Sequence, residues 1–194
     1  MWAAAAFILF AALGFVALNS PYFYKQIGYY LHKPKTDQAQ NNGTKSSGQK
    51  GEPSQLSIPS LGIFAPIVEP EQNNEKSFQE ALKNGVVHYP GTAEVGQLGN
   101  AFIFGHSSDF AFKGGNYKTV FALLPHIQNG AEIIVSDKAG QIFHYIVTET
   151  FVASPGDVHL LDQETGGQKI LTLQTSYPVG TALKRYIVKA KLQE

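Results

Sequence analysis

From about residue 54 to the end of the chain, short apolar runs recur at intervals too short for helices. They are LSIPSLGIFAPIV (56–68), NAFIFG (100–105), AEIIV (131–135), IFHYIVTETFV (142–152), KILTLQTS (169–176) and RYIVKAKL (185–192). Gly, Pro, Asn and Asp bound each run, and β-branched and aromatic residues fill it. That pattern predicts an antiparallel sheet, closed or nearly closed, of about eight strands. Two segments read as short helices, EKSFQEALKN (75–84) and TVFALLPHIQ (119–128). The fold class is therefore mainly β: a small barrel with minor helices. No internal repeat is visible.

The 53 residues ahead of the barrel are of another kind. Residues 1–18, MWAAAAFILFAALGFVAL, carry no charge. As a helix they would span about 27 Å, close to the thickness of a bilayer core. A membrane anchor, a cleaved signal peptide and a buried helix compete for this segment. The anchor is favoured, because no basic n-region or small-x-small cleavage site is evident and a polar linker isolates it from the rest. Tyr22, Phe23, Tyr24, Tyr29 and Tyr30 suit an interfacial belt or the end of a longer helix. Lys25, Lys33 and Lys35 follow the span and nothing basic precedes it, which by the positive-inside rule would put the barrel in the cytoplasm. Between Pro34 and Pro53 the chain is polar and aperiodic, as a flexible stalk would be. Its Ser47-x-x-Lys50 spacing and its Asn42-Gly43-Thr44 sequon are chance-level matches. The domain plan is thus an anchor at 1–18, a juxtamembrane segment and stalk at 19–53, and a barrel at 54–194.

Net charge is zero, with 15 cationic and 15 anionic residues, so no electrostatic case for nucleic-acid binding exists. The absence of cysteine excludes disulfides, thiolate metal sites and a thiol nucleophile in this chain. The six histidines show no metal-ligand spacing.

Among 15 cationic side chains, 14 are lysines and one is Arg185. A lone guanidinium marks a place where a planar, permanently charged, multi-donor group is wanted. If the last two runs form a hairpin, Ser176 and Arg185 lie at the same end and off the core. Strand alternation puts Leu171, Leu173 and Thr175 on one face, and Thr172, Gln174 and Ser176 on the other. In the second run Tyr186, Val188, Ala190 and Leu192 form an apolar face opposite Arg185, Ile187, Lys189 and Lys191. The second informative segment, residues 85–109, leaves the buried run AFIF at Gly105-His106. A histidine released there is placed to act as a general acid or base. The plain alternative is a structural histidine beside an ordinary hairpin rim.

HYPGTAEVGQLGNAFIFGH, followed 70 residues on by TLQTSYPVGTALKR, resembles the sortases, the cysteine transpeptidases of bacterial cell surfaces. IPSLGIFAPIV is similar to that family's opening strands. The resemblance places His106 at the family's histidine, Arg185 at its arginine, and TLQTS at the TLxTC strand end, so that Ser176 stands where the nucleophilic cysteine would be. It implies a catalytic set of His106, Ser176 and Arg185, with Gln174, Thr175 and Tyr177 around the substrate. It implies a groove wall from the connection before the nucleophile strand, 154–168. It also implies a membrane-anchored enzyme facing out of the cytoplasm, single-pass. That enzyme would act on secreted proteins with a C-terminal sorting motif and on an amine acceptor, either a peptidoglycan precursor or a pilin. No cofactor is implied, although some relatives use calcium. A serine hydroxyl needs a base to take its proton, where a thiol ionises more readily. The serine is an engineered substitution, a natural variant, or the mark of a protein that binds sorting peptides without cutting them; Asp109 is close to His106 in sequence, but no carboxylate is nominated to orient it.

Overall fold

In the computed structural model, residues 2–31, 50–108 and 114–193 are described. The apolar runs form eight strands: β1 (Gln55–Ile58), β2 (Ile63–Val68), β3 (Val86–His88), β4 (Gly99–Phe104), β5 (Glu132–Ser136), β6 (Ile142–Ala153), β7 (Lys169–Tyr177) and β8 (Lys184–Leu192). They close into a barrel in the order β1-β2-β3-β4-β7-β8-β6-β5. Two neighbour pairs are parallel, β2 with β3 and β4 with β7; the other six are antiparallel. The expected barrel of about eight strands is present.

The sequence run 56–68 is split by a turn at Pro59–Leu61, where Gly62 takes a left-handed conformation. The three-residue β3 is too short to show an alternation, and all three of its residues are buried. Ala101, Ile103, Leu171, Leu173, Val188 and Ala190 fill the barrel interior, with Tyr145 wholly buried among them. A bulge between Val147 and Glu149 lets β6 change faces. As a result Phe151 and Ala153 lie outside the barrel with Phe102 and Ile187.

The helix expected at 75–84 is observed as α3 (Glu75–Ala81), started by the Asn74 side chain, which accepts from the Ser77 N–H. The helix expected at 119–128 is not. This stretch is a string of turns ending in a short 3-10 helix, Leu124–His126. The Phe121 N–H donates to the His106 carbonyl instead of to residue 117, and Pro125 has no N–H to give. Successive bonds here run from i to i−3, as in Val120 to Tyr117 and Ala122 to Thr119.

At the N-terminus, α1 (Trp2–Leu18) and α2 (Ser20–Leu31) meet at a 76° bend. Among the described residues no single helix is long and apolar enough to cross a membrane, though the bent pair passes on length and composition. α2 packs on the barrel side: Lys25 Nζ donates to the Thr119 carbonyl, Gln26 Nε2 to the Ala122 carbonyl, and Tyr29 stacks on His126 at 4.9 Å. The Ser47 and Asn42 motifs lie outside the described residues. Lys50 forms an isolated bridge with Gln141.

Candidate active site

β7 and β8 pair in continuous register from Ile170↔Lys191 to Tyr177↔Lys184, and within that ladder Ser176 stands directly opposite Arg185. Each strand reaches one residue further than the sequence pattern suggested, so the connection is six residues, 178–183. Both side chains belong to the outward set, because Thr175 is buried while Val188 and Ala190 face the core. Arg185 is half-buried, and its Nη1 donates to the carbonyls of Ala182 and Lys184, each at 3.0 Å. The guanidinium therefore closes the end of its own connection with one nitrogen and retains further donors.

His106 arrives from the other side. β4 runs parallel to β7 up to Phe104↔Gln174, and the Gly105 N–H still donates to the Gln174 carbonyl at 3.1 Å. His106 and Ser176 are each two residues past that last pair, at the same rim of the barrel. Thr175 Oγ1 donates to the Gly105 carbonyl at 2.8 Å, which ties the nucleophile strand to the histidine loop. The His106 carbonyl accepts from Phe121, and the Gly180 N–H donates to Ser108 Oγ at 3.0 Å. A Cβ on Gly105 would sit 2.7 Å from a Phe121 ring carbon, so glycine is required for this close approach.

The three residues expected to form the site are thus gathered at one rim. Of the residues expected around the substrate, Gln174 and Tyr177 are half-buried on the outer side and at the strand end. Thr175 is 2% exposed, and its hydroxyl is committed to Gly105. Its side chain is turned to the barrel interior and ties β7 to the loop that carries His106. Asp109 lies outside the described residues.

The 154–168 connection was expected as a groove wall; sequence reading missed the two side-chain clusters that hold it and the 89–98 loop. The 154–168 connection crosses the outer face of the sheet and buries Leu160 against Phe102, Ala153 and Ile187. It is held there by amides. Gln163 Oε1 accepts from the Ala93 and Asn100 N–H groups, and its Nε2 donates to the Asn100 and Leu161 carbonyls. Asn100 Nδ2 donates to the Leu160 carbonyl, and Thr172 Oγ1 donates to Asn100 Oδ1. Neither amide stands out in the sequence, since Gln and Asn are unremarkable in loops.

The second is His88, 5% exposed, with Nδ1 3.0 Å from Glu69 and Nε2 3.0 Å from the Ala93 carbonyl. Two acceptors on one ring favour the doubly protonated imidazolium. Burial opposes that charge, but Glu69, the Ala93 carbonyl and Glu94 outweigh it, and the His88 pKa is raised. Lys138 bridges Glu69 and Glu94 at 3.2 and 2.8 Å. Although Glu69, His88 and Glu94 are close enough to hold a metal ion, this lysine already supplies the positive charge between the carboxylates.

Residues 56–193 match the family model of the sortase domain. The chain belongs to the sortase family. Among solved structures, the sortase domain is similar to the sortase D5 transpeptidase of Clostridium perfringens. The two share 31% identity and a TM-score of 0.59, over 75% of this chain and 82% of that one. A point mutant of sortase E from Streptomyces avermitilis gives 29% identity and a TM-score of 0.56, over 75% and 91%. Sortase A from Corynebacterium diphtheriae, a lid mutant, gives 23% identity and a TM-score of 0.61 over 76% and 73%, a likeness of fold. No curated protein matches. Sortase membership supports a transpeptidase of the cysteine type, and this chain contains no cysteine.

Proposed function

We propose that this sortase domain transfers an acyl group from a C-terminal sorting motif of a secreted protein to an amine of the cell wall or of a pilin. The observation that carries the reading is the gathering of Ser176, Arg185 and His106 at one rim of the barrel, fixed by the β7–β8 and β4–β7 registers. Ser176 Oγ attacks a backbone carbonyl of the motif. The Oγ–C bond forms, and His106 takes the hydroxyl proton. The developing oxyanion is met by free donors of Arg185. The C–N bond then breaks, the leaving amine receives the proton from His106, and an ester links peptide to enzyme. An incoming amine repeats the sequence in reverse and releases Ser176. Gln174 and Tyr177 contact the peptide. The domain is held at the outer face of the cytoplasmic membrane through its apolar N-terminus.

A serine at the nucleophile position supports a second reading, a module that binds sorting peptides without cutting them. Incubating the full chain with a sorting-peptide library and an amine separates the two. Turnover by the parent or by Ser176→Cys, lost in Arg185→Ala, is expected. Saturable, Arg185-dependent binding with no turnover by either favours the module, and absence of both binding and turnover sinks both readings.

A further inference from the structure

α2 is built inside out for a helix in water. Its only charged side chain, Lys25, reaches back to the Thr119 carbonyl, and Gln26 bonds both Ala122 and His126. The outer side of the helix carries Tyr24, Ile27, Tyr30 and Leu31, exposed to 77%, 55%, 65% and 74%, with Tyr30 at its border also meeting the His126 ring edge-on at 5.6 Å. At 100° per residue these four fall within about 120° on one side of the helix, opposite Tyr22 and Tyr29. A helix on a water-soluble domain shows the reverse arrangement. The stripe is continuous with α1, where Phe7, Ile8, Phe10 and Leu13 are all more than half exposed and no residue is charged.

We infer that α2 lies in the plane of the membrane surface, with this stripe in the headgroup region and the barrel resting on its other side. The inference rests on the membrane attachment proposed above. The partner is a lipid bilayer and not a second copy of the chain, for three reasons. The stripe continues into an apolar helix; its tyrosines suit the headgroup boundary; and the 76° bend sets α2 nearly parallel to the surface when α1 is upright. The consequence reaches the active site. α1 and the bend touch the β7–β8 connection, where Phe15 and Asn19 approach within 3.3 Å of a Cβ position on Gly180. Ser176 and Arg185 stand at the base of that connection. The rim that carries the site is therefore the membrane-proximal rim. It also removes Lys25 from the positive-inside count, because its ammonium is occupied by the barrel.

The absence of cysteine from this chain makes this directly measurable. Single-cysteine variants of the full chain, Tyr24→Cys, Ile27→Cys and Leu31→Cys, are labelled with a nitroxide in vesicles of phosphatidylethanolamine and phosphatidylglycerol. Power saturation with oxygen and a water-soluble nickel chelate then reads their depth, with Glu164→Cys as the aqueous control. All three sites are exposed, so folding is expected to persist, and thermal unfolding checks it. The in-plane helix predicts three labels at one depth at the headgroup boundary, shielded from nickel. A gradient of about 10 Å from Tyr24 to Leu31 would show a helix continuing through the bilayer and overturn the inference. So would nickel-accessible labels, or spin coupling between chains that persists without lipid. Flotation of the unlabelled chain with vesicles tests attachment separately. If flotation fails, the membrane reading falls along with this one; if it succeeds and the labels stay aqueous, only the in-plane docking falls.

Discussion

Ser176 and Arg185 are Cα partners in the β7–β8 ladder, one pair short of its end. Their proximity is therefore set by backbone hydrogen bonding and does not depend on the side chains finding each other. The guanidinium spends Nη1 on Ala182 and Lys184, which leaves the donors of Nη2 and Nε outside these two bonds. A lysine has three donors on a single nitrogen and lacks the planar fork that lets one end of the guanidinium close the connection while the other reaches an oxyanion. Arg185→Lys is expected to lower kcat/KM of the peptide reaction roughly 10²- to 10³-fold, mainly through kcat. A comparison of kcat and KM for the two proteins, on whichever nucleophile turns over, checks this.

Thr175 and Gly105 set the distance between the nucleophile strand and the histidine loop. Thr175→Val leaves the buried Gly105 carbonyl without its donor and should cost about 1–3 kcal/mol in urea unfolding. Gly105→Ala forces a Cβ onto the Phe121 ring and should cost about 1–3 kcal/mol as well. Because Phe121 also holds the His106 carbonyl, that variant should lose activity beyond its loss of stability.

Gln163 clamps the 154–168 connection and the 89–98 loop to β4 with four hydrogen bonds. Gln163→Ala is expected to raise KM for peptide while leaving kcat nearly unchanged, since the wall is loosened and the reacting groups are not. Faster amide exchange at Ala93 and Asn100 would report the loosening; unchanged exchange would contradict it.

His88 and Glu69 give that same region a pH window. The raised His88 pKa contributes stability that is fully present below about 6.5 and is lost as pH rises through the higher folded value. Glu69 is lowered, first by its hydrogen bond to His88, with Lys138 adding to the effect and burial opposing it. Its contribution is present above about 4.5 and lost as pH falls. The 89–98 loop should therefore be most protected between about pH 4.5 and 6.5. Hydrogen exchange across pH 4–9 measures it, and His88→Gln should flatten the alkaline side of the profile.

The barrel was legible because its strands are half-buried and alternate, and the site because three of its residues sit at strand ends, where register follows from pairing. Arg185 stood out by rarity and His106 by the glycine before it. The segment 119–128 misread as a helix for a tertiary reason: its apolar spacing is helical, but the Phe121 N–H is taken by His106, a bond between residues 15 positions apart that no local pattern shows. β3 was missed because three wholly buried residues carry no period. The Gln163–Asn100 clasp was invisible because amides in loops become informative only once the backbone groups they meet are known. Thr175 shares the TLQTS strand end with Ser176, yet strand alternation already turned it inward.

The central claim is that Ser176 occupies a working nucleophile position between Arg185 and His106. Intact-mass measurement of the S176C variant after exposure to a sorting peptide tests it most directly. The account predicts a mass increase equal to the N-terminal peptide fragment, located at position 176, discharged by added amine and absent when His106→Ala is combined with it. No adduct with any peptide of a broad library, from a folded S176C protein, would contradict the account.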